Sequence, residues 1–191
     1  MVIETERLIL RPITVLDAKD VYDYAKNENV GKMAGFKPHE SVEETISIID
    51  SILKIDSLAI VLKEINKVIG TISLQEKLKG IYELGYSLGE EYWNQGIMTE
   101  AVKELIDYAF KTNMATEINA GCFIENISSQ KVLEKCGFTY VGIHKKDYLN
   151  YDNKYKDGKR YRLLRKDYME VCYGNKIWSQ KSWRKQIWLL A

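Results

Sequence analysis

The spacing of apolar and polar positions changes period several times along the chain, and each change predicts an element. "LILRPI" alternates as a strand that Pro12 ends. "TVLDAKDVYDYAKNE" opens on Thr14 as a helix N-cap and carries Leu16, Val21 and Tyr24 at helical spacing. "GKMAGFKPHE" has no period and reads as loop. "SVEETISIIDSIL" starts a second helix with a capping box, Ser41 and Glu44, and sets Ile46, Ile49 and Leu53 on one face. "SLAIVLKE" and "KVIGTISLQE" read as strands joined by a short hairpin at Ile65 and Asn66. In "GIYELGYSL", Tyr82, Leu84, Tyr86 and Leu88 face one side, with Glu83, Gly85 and Ser87 on the other. A helix follows on which Met98, Val102, Leu105, Ile106 and Ala109 share a face. "TEINAGCFI" predicts another strand, and "ENISSQKVLEKCGF" a short helix capped by Asn126 and stopped by Gly137. "YVGIHKKDYLNY" and "KRYRLLRKDY" finish as two strands around a loop holding Asn153, Asp157 and Gly158. The order β-α-α-β-β-β-α-β-α-β-β places hairpins around a central β-α-β unit, which calls for an α+β or mixed α/β sheet.

The junction "EEYWNQGIMTEA" carries the chemistry. A strand that runs directly into a helix leaves the first helical N–H groups without partners, and these together with the helix dipole attract an anion, phosphate above all. Gly96 removes the side chain that would hold a ligand off the backbone. The side chains from Trp93 to Thr99 are uncharged, so an anion here would rest on main-chain amides. The plainer alternative is that Gly96 only lets the chain turn. Neither GxxxxGK[ST] nor GxGxxG occurs, which argues against a P-loop or a dinucleotide fold.

Composition narrows the class. With 191 residues, 46% hydrophobic and 29% charged, the chain suits one soluble globular domain. Cys122, Cys136 and Cys172 are odd in number and form no CxxC pair, which fits reduced thiols and no metal site. Met1 to Arg11 reads as polar residues leading into a strand, and no apolar run approaches the roughly 20 residues that span a bilayer. The expectation is a cytoplasmic protein. Net charge is +1, but Lys176, Lys181, Arg184 and Lys185 stand without an acid in residues 172–191. Residues 1–171 then hold 24 basic against 27 acidic side chains, a body unsuited to collecting nucleic-acid phosphates.

"LGYSLGEEYWNQGIMTEAVKELIDYAF" and, about 30 residues further on, "NISSQKVLEKCGF" closely resemble the GNAT superfamily of acetyl-CoA-dependent N-acetyltransferases. Within it the sequence is similar to the branch that acetylates the N-termini of ribosomal proteins, as are "ETERLILRPI" and "YKDGKRYRLLRKDY". The resemblance reaches from Glu4 to about Val171, giving a domain over 1–171 and a basic, Trp-rich extension over 172–191. It implies a central, mostly antiparallel twisted sheet of about seven strands flanked by about four helices and splayed at the acetyl-CoA site. It also implies that Trp93, Asn94, Gln95, Gly96, Ile97, Met98 and Thr99 wrap the cofactor's diphosphate. Ser87, Leu88 and Gly89 would pair with its pantetheine arm, and Asn126 and Ser129 would meet it from the later helix. Two positions depart from the branch: Asn94 stands where glycine is usual, and Met98 is larger than the small residue often found there.

Amide formation needs a neutral amine, a polarised thioester carbonyl and a proton for the departing thiolate. Glu83 lies on the strand feeding the turn and is the candidate base, its alternative being a solvated or salt-bridged strand residue. Ser129 resembles the branch's proposed acid, its alternative a helix-start serine; Asn126 has the same alternative as a plain N-cap. His39 and His144 lie away from the turn by topology, and Cys122 and Cys136 sit in apolar runs that read as packing. Direct transfer to the amine follows, with most of the rate from holding the reactants together. Acceptor recognition would fall on Val30–His39 and Asp147–Lys159. The expected partner is an amine-bearing protein or peptide, above all a protein α-amine. Polyamines, an aminoglycoside or another small-molecule amine are the alternative acceptors, and a non-catalytic CoA sensor the alternative function. In the extension, Trp178, Trp183 and Trp188 step about 140° apart on a helix and so spiral. A docked segment or a subunit contact, such as a homodimer, would bury them.

Overall fold

The computed structural model describes residues 1–53 and 56–180, leaving the side chains of Ile52 and of 174–180 undescribed. Trp178, Trp183 and Trp188, on which the reading of the extension rested, therefore lie outside the described side chains.

Eight strands form one sheet among the described residues: β1 (Ile3–Glu4), β2 (Leu8–Pro12), β3 (Ser57–Leu62), β4 (Lys67–Leu78), β5 (Ile81–Leu88), β6 (Glu117–Phe123), β7 (Thr139–Leu149) and β8 (Tyr155–Leu164). Their order is β1-β2-β3-β4-β5-β6-β8-β7, antiparallel throughout except between β5 and β6. The β3–β4 hairpin turns through Asn66, which takes the left-handed conformation (φ 49°) that Asn tolerates.

Six α-helices accompany the sheet among the described residues: α1 (Ala18–Ala25), α2 (Glu28–Ala34), α3 (Val42–Ile48), α4 (Ile97–Lys111), α5 (Ile127–Lys135) and α6 (Arg165–Gln180). The predicted amphipathic face of α4 is buried along its whole length, from Ile97 and Met98 through Ala101, Val102, Leu105 and Ile106 to Ala109 and Phe110. It packs with α5 on the sheet face that presents Leu8, Leu10, Leu58, Ile60, Leu84 and Leu88. Val21, Tyr24, Ala25, Val30 and Ile49 cover the opposite face over Ala59 and Val61. The sheet thus separates two cores, and the alternation of β3 supplies one side chain in turn to each.

Several expectations change. The helix predicted from Thr14 begins as a 3₁₀ turn, Val15–Asp17, before α1. The tighter turn shifts the helical phase. Asp17 is turned inward, where Arg11 grips it through two N–H groups at 2.6 and 2.9 Å, and Leu16 is left 91% exposed. Ile46 is likewise exposed while Ile49 is fully buried, and from Ile49 to Leu53 the helix widens into a π turn. The segment read as loop holds most of α2, which Asn27 caps through the N–H groups of Asn29 and Val30 and Gly35 ends in the left-handed region. Asp157 and Gly158 lie in β8, paired with β6 and β7, rather than in the preceding turn.

The last strand ends at Leu164, and "RKDY", expected to finish it, instead opens the C-terminal helix α6, which runs unbroken through the expected 171/172 boundary. It docks on the end of α4, where Arg165 donates to the Phe110 carbonyl at 2.8 Å and the Tyr168 ring lies 5.3 Å from that of Phe110. Among the described residues no helix is long and apolar enough to cross a membrane.

Ile106 is fully buried in the main core. Ile106→Ala is expected to cost about 2–5 kcal/mol in urea unfolding. Leu16→Ala, at the exposed 3₁₀ turn, is expected to stay within about 0.5 kcal/mol of the wild type.

Candidate active site

The parallel β5–β6 ladder pairs Ile81 with Glu117 through Leu84 with Ala120 and goes no further. Beyond it, β5 continues along β4 to Leu88, while β6 continues along β8 to Phe123. From Gly85 and Gly121 onward the two strands separate, and a cleft of about 700 Å³ opens between them. It is lined by the ends of both strands, the junction into α4, the first turns of α5, the C-terminal end of α2 and the end of β7.

At the junction, Gly96 takes φ +76° and is the N-cap of α4. Asn94 also lies in the left-handed region at φ 60°, which explains how asparagine stands in for glycine there. Among the described residues the main-chain N–H groups of Asn94 to Thr99 have no intramolecular acceptor, and the first helical bond at this end is Glu100 N–H to the Gly96 carbonyl. Met98 points into the core, 6% exposed, so its bulk stays out of the cleft. Trp93, Asn94, Gly96, Ile97, Met98 and Thr99 line the cleft. Gln95 does not: its side chain donates to the Glu91 carbonyl, and its own carbonyl accepts from Arg7. Lys131 and Lys135, one helical turn apart on α5, also line the cleft. The uncharged turn gives no sign of them, because they come from an element about 35 residues downstream.

On β5, Gly89 N–H bonds to the Ile69 carbonyl. Antiparallel alternation then gives Ser87 to β4 as well and leaves the main-chain groups of Tyr86 and Leu88 facing the gap. The Leu88 carbonyl accepts the Trp93 indole N–H at 2.8 Å. The Ser87 hydroxyl lies 3.0 Å from that of Thr71. Of the three residues expected beside the pantetheine arm, Leu88 alone thus turns its backbone to the gap, and Tyr86 joins it. The pleat explains the difference, since neighbouring residues cannot both point their N–H groups the same way.

Asn126 caps α5 through the Ser129 N–H at 3.0 Å and donates to the Met33 carbonyl at 3.1 Å, tying α5 to α2. Both ends of its amide are engaged within the protein. Ser129 is 8% exposed, with its hydroxyl 2.7 Å from that of Tyr86. Burial pushes the Tyr86 phenol well above its ordinary value, so it stays a protonated hydroxyl at neutral pH. Spacing alone places Tyr86 on one side of the strand with Leu84 and Leu88; the packing of α5 against β5 is what brings it to Ser129.

Glu83 lies on the other face of β5 and lines the cleft there. Its Oε1 accepts from Arg160 at 2.7 Å, and Arg160 also holds Asp147 through two N–H groups at 2.7 and 2.8 Å. Oε2 of Glu83 has no partner among the described residues. Tyr148 covers this cluster, its ring edge-on to Phe123 at 5.2 Å and 5.1 Å from the Arg160 guanidinium. Its hydroxyl sits where a Cβ on residue 121 would be, only 1.9 Å away, so only glycine fits there. Burial pushes the Tyr148 phenol up to about 12. Both segments expected to recognise an acceptor reach this end of the cleft, through Val30, Met33, Ala34 and Gly35 and through Tyr148 and Leu149.

The remaining candidates fall elsewhere. His39 is buried, with Nδ1 2.9 Å from the Thr45 hydroxyl, and burial lowers its pKa. His144 is exposed on β7, 3.9 Å from Asp147. Burial raises the Cys122 thiol and pushes Cys136 up to about 12, which keeps both protonated and poor nucleophiles.

Residues 7–139 match the model of the acetyltransferase (GNAT) domain. Over 172 residues the chain is 32% identical to the uncharacterized N-acetyltransferase p20 of Bacillus licheniformis, an alignment covering 86% of this chain and 96% of that protein. The fold superposes on an acetyltransferase (GNAT family) from Bacillus anthracis with a TM-score of 0.79 and 27% identity, covering 87% of this chain and 99% of that one. The ribosomal-protein-S5-alanine acetyltransferase from Vibrio fischeri superposes with a TM-score of 0.71 and 25% identity, covering 88% and 98%. The matched span takes in the gap, the junction and α5 together, and the chain belongs to the GNAT family of acetyl-CoA-dependent N-acetyltransferases.

Proposed function

We propose that the cleft transfers acetyl from acetyl-CoA to the α-amino group of a protein or peptide. The observation that carries this reading is the placement of two polar groups on opposite faces of the sheet. Glu83 reaches the gap from the side of α1–α3, and the Ser129–Tyr86 pair reaches it from the side of α4 and α5. A gap through a sheet lets donor and acceptor approach from opposite faces, so neither blocks the other. The likeness to a ribosomal-protein acetyltransferase supports a protein acceptor. So does the acceptor wall: two separate segments frame an open mouth that can take the end of a chain.

The unpartnered N–H groups from Asn94 to Thr99 would hold the diphosphate, with Lys131 and Lys135 adding positive charge alongside. The gap-facing main chain of Tyr86 and Leu88 would pair with the pantetheine arm. When bound, acetyl-CoA supplies the activated acetyl group. Glu83, oriented by Arg160 through Oε1, takes a proton from the arriving ammonium at Oε2, freeing the nitrogen lone pair for the new C–N bond. The Ser129 hydroxyl, held by that of Tyr86 at 2.7 Å, would donate to the departing sulfur and relay to it the second proton that the nitrogen sheds as the amide forms, so that both hydroxyls end as they began.

A thiol-release assay over an amine panel tests the acceptor. Peptides with a free α-amine are expected to turn over, and the same peptides blocked at the N-terminus are not. Turnover of a polyamine or aminoglycoside instead would move the acceptor to small molecules. CoA binding without release from any amine would make the chain a sensor.

Glu83→Gln and Ser129→Ala are each expected to lower kcat by roughly 10²-fold or more, with KM for acetyl-CoA within about twofold. Wild-type turnover in either variant returns that residue to a structural role.

A further inference from the structure

The opening motif "ETERL", which the proposed chemistry leaves unused, is joined in the fold to Glu100 in the first turn of α4. Glu100, in that first turn, accepts three hydrogen bonds. Oε1 takes the Thr5 hydroxyl and the Arg7 N–H at 3.1 Å, and Oε2 takes Arg7 Nε at 2.7 Å, with Nη2 in ion-pair contact at 2.7 Å. Burial opposes its charge, yet the donors of Thr5 and Arg7 outweigh burial and hold the carboxyl below its ordinary value. The guanidinium has one further contact: Nη1 donates to the carbonyl of Gln95 at 3.1 Å.

That last bond fixes a direction. In a trans peptide the C=O and the following N–H point opposite ways. Among the described residues no peptide is cis, so pinning the Gln95 carbonyl toward Arg7 turns the Gly96 N–H away from it. Arg7 lies on one side of Gly96, its Nη2 3.8 Å from where a Cβ would be. Gly96 lines the cleft. Left-handed glycine has a flexible backbone on both sides, and a flip of the 95–96 peptide would point a carbonyl at the anion in place of an N–H.

We propose that Arg7, locked by Glu100, is a positioning residue that holds the Gln95–Gly96 peptide with its N–H aimed into the diphosphate cradle. The inference rests on the reading of this turn as that cradle. Arg7 acts through the peptide and not as a charge on the ligand, since its guanidinium is already paired with Glu100. Arginine is needed because one planar fork must serve the carboxylate and the carbonyl together, which lysine cannot do.

The test uses the full chain, with calorimetry of CoA binding and kinetics on acetyl-CoA and on S-acetylpantetheine, which has the thioester but no diphosphate. Arg7→Gln and Glu100→Gln are each expected to raise Kd for CoA and KM for acetyl-CoA about tenfold, leaving kcat within about twofold. Their kcat/KM for S-acetylpantetheine is expected to stay at the wild-type value, a result that general loosening of the fold would not give. The double variant should lose no more than the worse single one. Arg7→Lys keeps the charge and is expected to remain impaired at least threefold; wild-type KM in Arg7→Lys overturns the proposal. Arg7→Lys also carries the test should Arg7→Gln fail to fold. Gly96→Glu separates this inference from the reading beneath it. Unchanged CoA affinity in Gly96→Glu removes the cradle and this proposal with it. Loss of binding in Gly96→Glu, with unchanged KM in Arg7→Gln, overturns the role of Arg7 alone.

Discussion

The ending of one strand ladder governs the rest of the molecule. β5 and β6 are the sole parallel pair in the sheet of the described residues, and they stay together only from Ile81 and Glu117 to Leu84 and Ala120. Each strand then follows its antiparallel partner, β4 or β8, and their inner edges are left unpaired. Unpaired main-chain groups inside a protein are costly unless something meets them. The Trp93 indole takes one, the Leu88 carbonyl. The others face a cleft in which an extended ligand would complete the ladder. The family to which the chain belongs uses such a ligand, acetyl-CoA.

The separation also sorts the chemistry by face. Pleating places Glu83 and Tyr86 on opposite sides of one strand, so the carboxylate with Arg160 and Asp147 sits apart from the hydroxyl pair with Ser129. Tyr148 lies over Gly121, filling the sheet surface beside the gap on the carboxylate side. Asn126 ties α5 to the end of α2, which couples the two walls through a single amide. Motion of either wall would therefore be felt by the other.

Much of this was legible from spacing. The α4 stripe, the β5 alternation, the Asn126 cap and the Gly96 turn appear in the fold where their residues predict them. Local chemistry fixes these features: helical period, strand period, a side chain reaching three residues ahead, a backbone angle that suits glycine. Leu16 satisfies a helical period, yet a 3₁₀ turn alters the phase around it and the buried Arg11–Asp17 pair takes the inward position; Ile46, on the same predicted face as Ile49, stays exposed while Ile49 is buried. The short helix α2 shows only one fully buried apolar side chain, so its period is weak, although its Asn27 and Gly35 caps are written plainly in the sequence.

The sequence by itself determined most of the strands and helices, where a bare helix start would face a ligand, and which carboxylate, Glu83, lies close to it along the chain. Those properties depend on neighbours within a few residues. Only the tertiary structure decided that Arg7 reaches the turn at residue 96, that Tyr86 meets Ser129, that Arg160, itself gripped by Asp147, holds Glu83, and that Lys131 and Lys135 line the same cleft as an uncharged loop. Arg7 and Gln95 are 88 positions apart, Arg160 and Glu83 77, and Tyr86 and Ser129 43. No local period encodes which distant side chain arrives, because that is set by how two faces of one sheet are covered.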